Sequence, residues 1–218
     1  MKIVGQMALA GFPMWEMCLS ELSKHCDEIY LRCDENRVDK SIKAEEYNKI
    51  CNGKLKSIFC THEPFHKWKW REDMIRMLDD VKPDIVISLD EDEIFDDTIN
   101  EEIKDFEKSD KLAMMVNYNP MPTENNEKIL KNLPYPILPH MKIFKWKSGL
   151  TYKGYHGNAL VPEYNKREFW WNARSKINHY CFYKKEWLPK KIEDMRKYSV
   201  PMYFKRYYGV ELVPGMDT

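Results

Sequence analysis

The stretch DIVISLDEDEIFDD, residues 84–97, decides how this chain is read. Ile85 to Leu89 are almost unbroken in apolar character, the pattern of a strand buried on both faces of a sheet. Pro83 stands just before them and stops any preceding helix. Directly after them come Asp90, Glu91, Asp92 and Glu93. Adjacent carboxylates repel one another, so water or a cation is expected to offset them. Asp90 and Asp92 form a D-x-D pattern at a strand's carboxyl end, a hard oxygen site of the kind that suits Mg²⁺ or Mn²⁺. A hydrated acidic turn fits the same residues. The apolar strand ahead of the turn pins it to a sheet edge and so favours the ion.

Outward from this strand, the first half of the chain alternates strand and helix. Residues 2–8 read as a first strand, and Gly11 and Pro13 then break the chain. Trp15, Cys18, Leu19, Leu22 and Cys26 recur at helical spacing. Residues 27–34 read as a second strand ending in Asp34, followed by a polar helix over 42–50 and a strand over 55–60. Trp70, Met74, Met77, Leu78 and Val81 mark one face of a helix over 68–81. A helix over 98–106 and a strand over 111–119 follow. This order predicts an α/β fold with a mainly parallel central sheet flanked by helices. Ligand sites in such sheets lie at the carboxyl ends of strands, where Asp34 and Asp90 both fall.

The second half has a different character. Five prolines between 120 and 139 predict a long loop, of the kind that can cover a substrate. Residues 141–146 and 150–161 read as a strand pair joined near Gly149. Leu188, Ile192 and Met195 mark an amphipathic helix, with Pro189 early in it, where proline is tolerated. Nothing marks a clean linker, so 1–218 reads as one domain with halves 1–119 and 120–218.

Composition narrows the classes. The 35 Lys and Arg balance 35 Asp and Glu, so no broad basic field exists to hold nucleic acid. No stretch approaches the roughly 20 apolar residues of a membrane span, and the N-terminus lacks the apolar run of a signal peptide. The six cysteines form no C-x-x-C pair. Reduced thiols in a cytoplasmic protein are the simpler expectation. Cys60, His62 and His66 suggest zinc, but Pro64 between the histidines breaks the helical i, i+4 arrangement and favours a loop. Trp68, Trp70, Trp170 and Trp171 could stack on sugar rings or a base, although Trp70 falls on a helix's apolar face.

Several segments, in order, resemble glycosyltransferases of the GT-A fold, particularly family 2. LDEDEIF at 89–95 is similar to that family's LDADEIF segment. Residues 1–36 resemble its opening strand, loop, helix and second strand ending in Asp. Residues 68–93 resemble its helix with an early Arg running into the D-x-D strand. YKGYHGNALV at 152–161 and the segment from Lys176 to Tyr198 resemble its late strand with a His and its HY segment with a helix.

The resemblance implies a single GT-A-like domain, its first half binding the nucleotide sugar and its second the acceptor. It assigns Asp34 to the nucleotide base, and the backbone of the loop from Ala8 and Leu9 to Ala10 likewise. That loop, ALAGFP, lacks the polar residues common in the family, which leaves base and sugar open. Asp90 takes the ribose or the metal, Glu91 lies between the two aspartates, and Asp92 ligates the metal. His179 matches the family's late metal ligand; a packed histidine beside Tyr180 fits the same residue. Arg71 matches the helix arginine, pairing with a carboxylate or the diphosphate, a reading favoured over that of a solvated helix residue. The implied reaction is metal-dependent, inverting transfer of a hexosyl or deoxyhexosyl unit from a UDP- or GDP-sugar to a glycan-type acceptor, with Mn²⁺ or Mg²⁺. Inversion needs a general base for the acceptor hydroxyl. His156 is a candidate from position alone, and Glu93 and Glu163 are others.

Two rival readings exist. A haloacid-dehalogenase-like phosphohydrolase would use the first Asp of D-x-D as nucleophile, but that motif belongs on a first strand. A non-catalytic nucleotide-sugar or glycan-binding domain would need no base at all.

Overall fold

The computed structural model describes residues 1–35, 38, 42–62, 67–121, 139–153, 159–161, 164 and 166–180. By its internal contacts the chain divides into two units, Met1–Asn119 with Leu138–His179, and Pro120–Ile137 with Tyr180–Thr218. The second unit lies almost wholly outside the described residues, as do most of the expected proline-rich loop and the helix expected around Leu188 to Met195.

The first unit is α/β. Its elements in chain order are β1 (Ile3–Leu9), α1 (Trp15–Ser23), β2 (Glu28–Asp34), α2 (Ala44–Ile50), β3 (Leu55–Thr61), α3 (Lys67–Arg76), β4 (Ile85–Asp90), β5 (Glu93–Phe95), α4 (Ile99–Lys108), β6 (Ala113–Pro120), β7 (His140–Lys145), β8 (Thr151–Lys153), β9 (Ala159–Val161) and β10 (Trp170–His179). Eight strands form one sheet in the order β3-β2-β1-β4-β7-β6-β10-β5, and β8 pairs with β9 separately. β3, β2, β1 and β4 are mutually parallel. β7 runs antiparallel to β4 and β6, and β5 antiparallel to β10. The expected helix-flanked parallel layer and mixed second half are both present.

Local sequence explains the layering. Alternate residues of a strand face opposite sides of its sheet, and neighbours in β1 meet different helices. Val4 joins Ile75 and Leu78, around the end of α3, in a core with Val86, Phe144 and Tyr164. Gly5 faces α1: a Cβ there would meet Cys26 Sγ at 2.6 Å and Leu22 Cγ at 3.1 Å. Glycine therefore lets α1 approach the strand, and α1 and α3 cover opposite faces. Leu19, Leu22, Leu78 and Val86 are all fully buried, each contributing about 1.5–3 kcal/mol.

This two-sided cover follows from chain order. β1 to β2 to β3 steps one way along the sheet, and the chain then returns to place β4 on the other side of β1. Strand order thus reverses between β1 and β4, the kind of switch point at whose carboxyl ends open α/β sheets bind ligands. Ala8 pairs with Asp90 at that end, and Leu9 with Cys33 on the other side of β1.

Three expectations are corrected. The helix expected over 68–81 ends at Arg76; the bonds Leu78 N–H to Ile75 and Val81 N–H to Leu78 tighten the chain into turns. Lys82, at φ 49°, and Pro83 complete the break. Among the described residues, 141–146 and 150–161 do not pair with each other. β7 enters the large sheet between β4 and β6, while 151–153 and 159–161 form their own hairpin. β5 was not expected, being only three residues long.

Candidate active site

The acidic turn joins β4 to β5 at the carboxyl edge of the parallel layer, and each of its four carboxylates meets protein groups. Arg71 Nη2 donates to Asp90 Oδ1 at 3.0 Å and Oδ2 at 3.1 Å. Lys142 Nζ lies 3.3 Å from Asp90 Oδ2 and 2.6 Å from Glu93 Oε2. Glu93 is fully buried. It also accepts the Asp90 N–H at 2.8 Å and the Tyr118 hydroxyl. Glu91 turns towards the loop after β1, accepting the Ala10 N–H at 2.9 Å and the Phe12 N–H. Burial pushes the Glu91 carboxyl up to about 7, against those two backbone bonds, with Asp92 and Asp90 adding repulsion. Asp92 Oδ2 lies 3.3 Å from His179 Nε2. The offset expected from water or a bound cation is thus supplied largely by the chain's own Arg71, Lys142, His179 and backbone N–H groups.

Lys142 comes to this position through a bulge. On β7, Ile143 pairs with Met114 but Met141 pairs with Met115, so Lys142 is the extra residue at the shift. Bulges of this kind re-aim a side chain beside functional sites. Its ammonium, on a residue only 2% exposed, sits between two carboxylates. A buried charge is tolerated when paired in this way.

Tyr118 organises the other side. Its ring stacks on His140 at 4.1 Å and on His179 at 4.6 Å between centroids. Burial and the negative charge of Glu93 hold its hydroxyl well above the usual range, so it remains a donor to Glu93. Below the turn, α1 supplies Cys18, whose sulfur accepts the Glu93 N–H.

The positions expected from sequence fall as follows. Ala8, Leu9, Asp34, Asp90, Glu91 and Asp92 lie along one sheet edge, from the end of β2 across β1 to β4 and its turn. Asp34 is buried, and its carbonyl accepts the Val38 N–H at 2.9 Å. Arg71 is 6% exposed and pairs with a carboxylate, so it is not a solvated helix residue. His179, at the end of β10, is brought beside Asp92 by the β5–β10 pairing, where His179 opposes Glu93. His156, Glu163 and His66 lie outside the described residues. Trp70 is core: it is fully buried, with the Arg32 guanidinium 4.7 Å over its ring. Sequence reasoning missed Lys142 and Tyr118. Neither lies in a motif, and only strand pairing brings them to the turn.

Asp92, Glu93 and His179 offer ligand atoms within 4.8 Å of one another. Glu93 already accepts from three donors, which leaves Asp92 and His179, 13% and 12% exposed at the side chain. One hard oxygen and one imidazole fit Mn²⁺, and Mg²⁺ less well.

No protein-family model and no curated protein matches the chain. Among solved structures it is similar to the crystal structure of Staphylococcus aureus TarS residues 1–349, at 12% identity and TM-score 0.44, over 66% of this chain and 47% of that one. It is similar to a second TarS crystal structure at 14% identity and TM-score 0.46, over 66% of this chain and 28% of that one. A 4-diphosphocytidyl-2C-methyl-D-erythritol synthase from Anaerococcus prevotii matches at 13% identity and TM-score 0.42, over 66% and 70%. The chain thus spans about half of the first TarS structure and about a quarter of the second. At these identities and TM-scores the likenesses carry no argument about activity. Among the described residues no helix is long and apolar enough to cross a membrane.

Proposed function

We propose that the protein is a metal-dependent, inverting glycosyltransferase that moves a hexosyl or deoxyhexosyl unit from a UDP- or GDP-sugar to a glycan-type acceptor. One observation carries this reading: the β1/β4 switch point, flanked by buried Asp34 on β2, ends in the partly exposed Asp92–His179 pair. A base site and a metal site on one sheet edge suit a nucleoside diphosphate lying across it. The order of the sequence segments that resemble family 2 glycosyltransferases supports the same reading.

The chain's groups then divide the work. Asp34 accepts hydrogen bonds from the base, and the backbone of Ala8 and Leu9 packs along it. Glu91 holds that loop through the Ala10 and Phe12 N–H groups. Arg71 and Lys142 fix Asp90 and so the turn that presents Asp92. Asp92 and His179 would hold the metal, which when bound neutralises the departing diphosphate. Glu93, sealed and triply bonded, is unsuited to take the acceptor's proton; of the remaining candidates, His156 and Glu163, His156 is the proposed general base.

Calorimetric titration with UDP, GDP, CDP and ADP, in Mn²⁺ and then in chelator, tests this. Metal-dependent binding selective for one base supports it and names half the donor; the matching nucleotide sugar is then assayed for transfer. Binding of no nucleotide overturns it. A phosphoenzyme on Asp90 would instead identify a phosphohydrolase, although Asp90 already gives both oxygens to cationic partners.

A further inference from the structure

Cys33 and Cys60 stand opposite one another on the parallel strands β2 and β3. Neighbouring strands lie roughly 4.7–4.9 Å apart, within the roughly 4.4–6.8 Å between Cα atoms that a disulfide spans. In-register partners also point to the same face of the sheet. The two thiols are close enough to act on one another's ionisation.

Their environments differ. Cys33 is buried, whereas Cys60 is exposed on the outermost strand. Burial pushes both thiols up, and Glu35 adds to this at Cys60. The Tyr47 hydroxyl bonds to Cys33 in turn and favours that sulfur's charged form. Among the described residues Cys18, Cys26 and Cys51 are all buried, and Cys60 alone is open to a reagent.

We propose that Cys33 and Cys60 form a dithiol–disulfide site that reacts with small disulfides such as oxidised glutathione. The Cys60 thiolate attacks one glutathione sulfur, forming a mixed disulfide and releasing one glutathione thiolate, which takes the Cys60 proton. Cys33 then attacks the Cys60 sulfur, forming the cross-strand bond and releasing the second glutathione, which takes the Cys33 proton. The protein dithiol is oxidised and the glutathione disulfide reduced, so electrons balance. The bond would fasten edge strand β3 to β2 one residue before Asp34. It is independent of the glycosyltransferase reading.

The test incubates the folded full chain with oxidised glutathione, blocks remaining thiols with N-ethylmaleimide and maps non-reduced peptides by mass spectrometry. The expected result is a Cys33–Cys60 linked peptide, with a mass decrease of about 2 Da from the loss of one hydrogen per thiol, reversed by dithiothreitol. Cys33→Ser should stop at a glutathione adduct on Cys60. Should that variant not fold, the wild-type map alone decides. Glutathione left on Cys60 in the wild type, no reaction at Cys60, or a linkage formed only in urea overturns the proposal.

Discussion

The Lys142 ammonium lies 2.6 Å from the Glu93 carboxylate, with both residues sealed from solvent. Asp90 shares the same ammonium at 3.3 Å. Removing one member of such a group strands the others, which costs about 3–5 kcal/mol. Lys142→Met should therefore lower stability by about that amount in urea denaturation. Adding Glu93→Gln should recover part of the loss, because the stranded charge is gone. Equal stability of wild type and Lys142→Met would show that the pair does not form.

Asp92 belongs to a different arrangement. Since Arg71 and Lys142 already offset Asp90 and Glu93, charge repulsion no longer argues for a metal; the Asp92–His179 geometry does. Asp92→Asn should keep its thermal melt and lose Mn²⁺-dependent nucleotide binding by more than the roughly 10–100-fold that removing a supporting group costs. Mn²⁺ titration by calorimetry reads this directly, and unchanged binding would remove Asp92 from the metal site.

Glu91 gives a pH signature. Its folded carboxyl, pushed up to about 7 chiefly by burial, binds a proton more tightly than the unfolded side chain at 4.5. The native state thus holds more protons between these values, so its stability is present below about 4.5 and is lost as pH rises through about 7. A glutamine in place of Glu91 would keep an acceptor for the Ala10 and Phe12 N–H groups without the charge. Glu91→Gln should match wild type near pH 4 and exceed it at pH 8 by about 1–3 kcal/mol. A stability difference independent of pH would contradict this.

Glu102 should show the opposite slope. Burial opposes its ionisation, but bonds from Ser175 and Arg174 outweigh burial and hold the carboxyl below its usual value. Its stabilisation is present above the unfolded pKa and is lost as pH falls through the folded one. Glu102→Gln should therefore narrow the difference between stability at pH 7 and at pH 3. An undiminished acid transition in that variant would count against the account.

Gly5 tests the packing of α1. Gly5→Ala should destabilise by about 1–3 kcal/mol through overpacking, and Cys26→Ala in the same chain should restore part of it. The nearest obstacle is the Cys26 sulfur.

Local pattern alone determined the parallel layer of this protein. The apolar run of β4, the helical spacing of α1 and the breaks at Gly11 and Pro83 act over a few residues, within reach of periodicity. Asp34 and Asp90 were legible as strand-end carboxylates for the same reason. Tertiary structure decided the partners. Lys142 lies 49 positions beyond Glu93 by number and reaches it only because β7 inserts beside β4 with a bulge. Tyr118 lies between two histidine rings that no spacing rule connects. The charge balance of the acidic turn was hidden likewise. A carboxylate's neighbours in sequence are fixed by the chain, but the cations that offset it come from whichever strands the sheet order brings alongside.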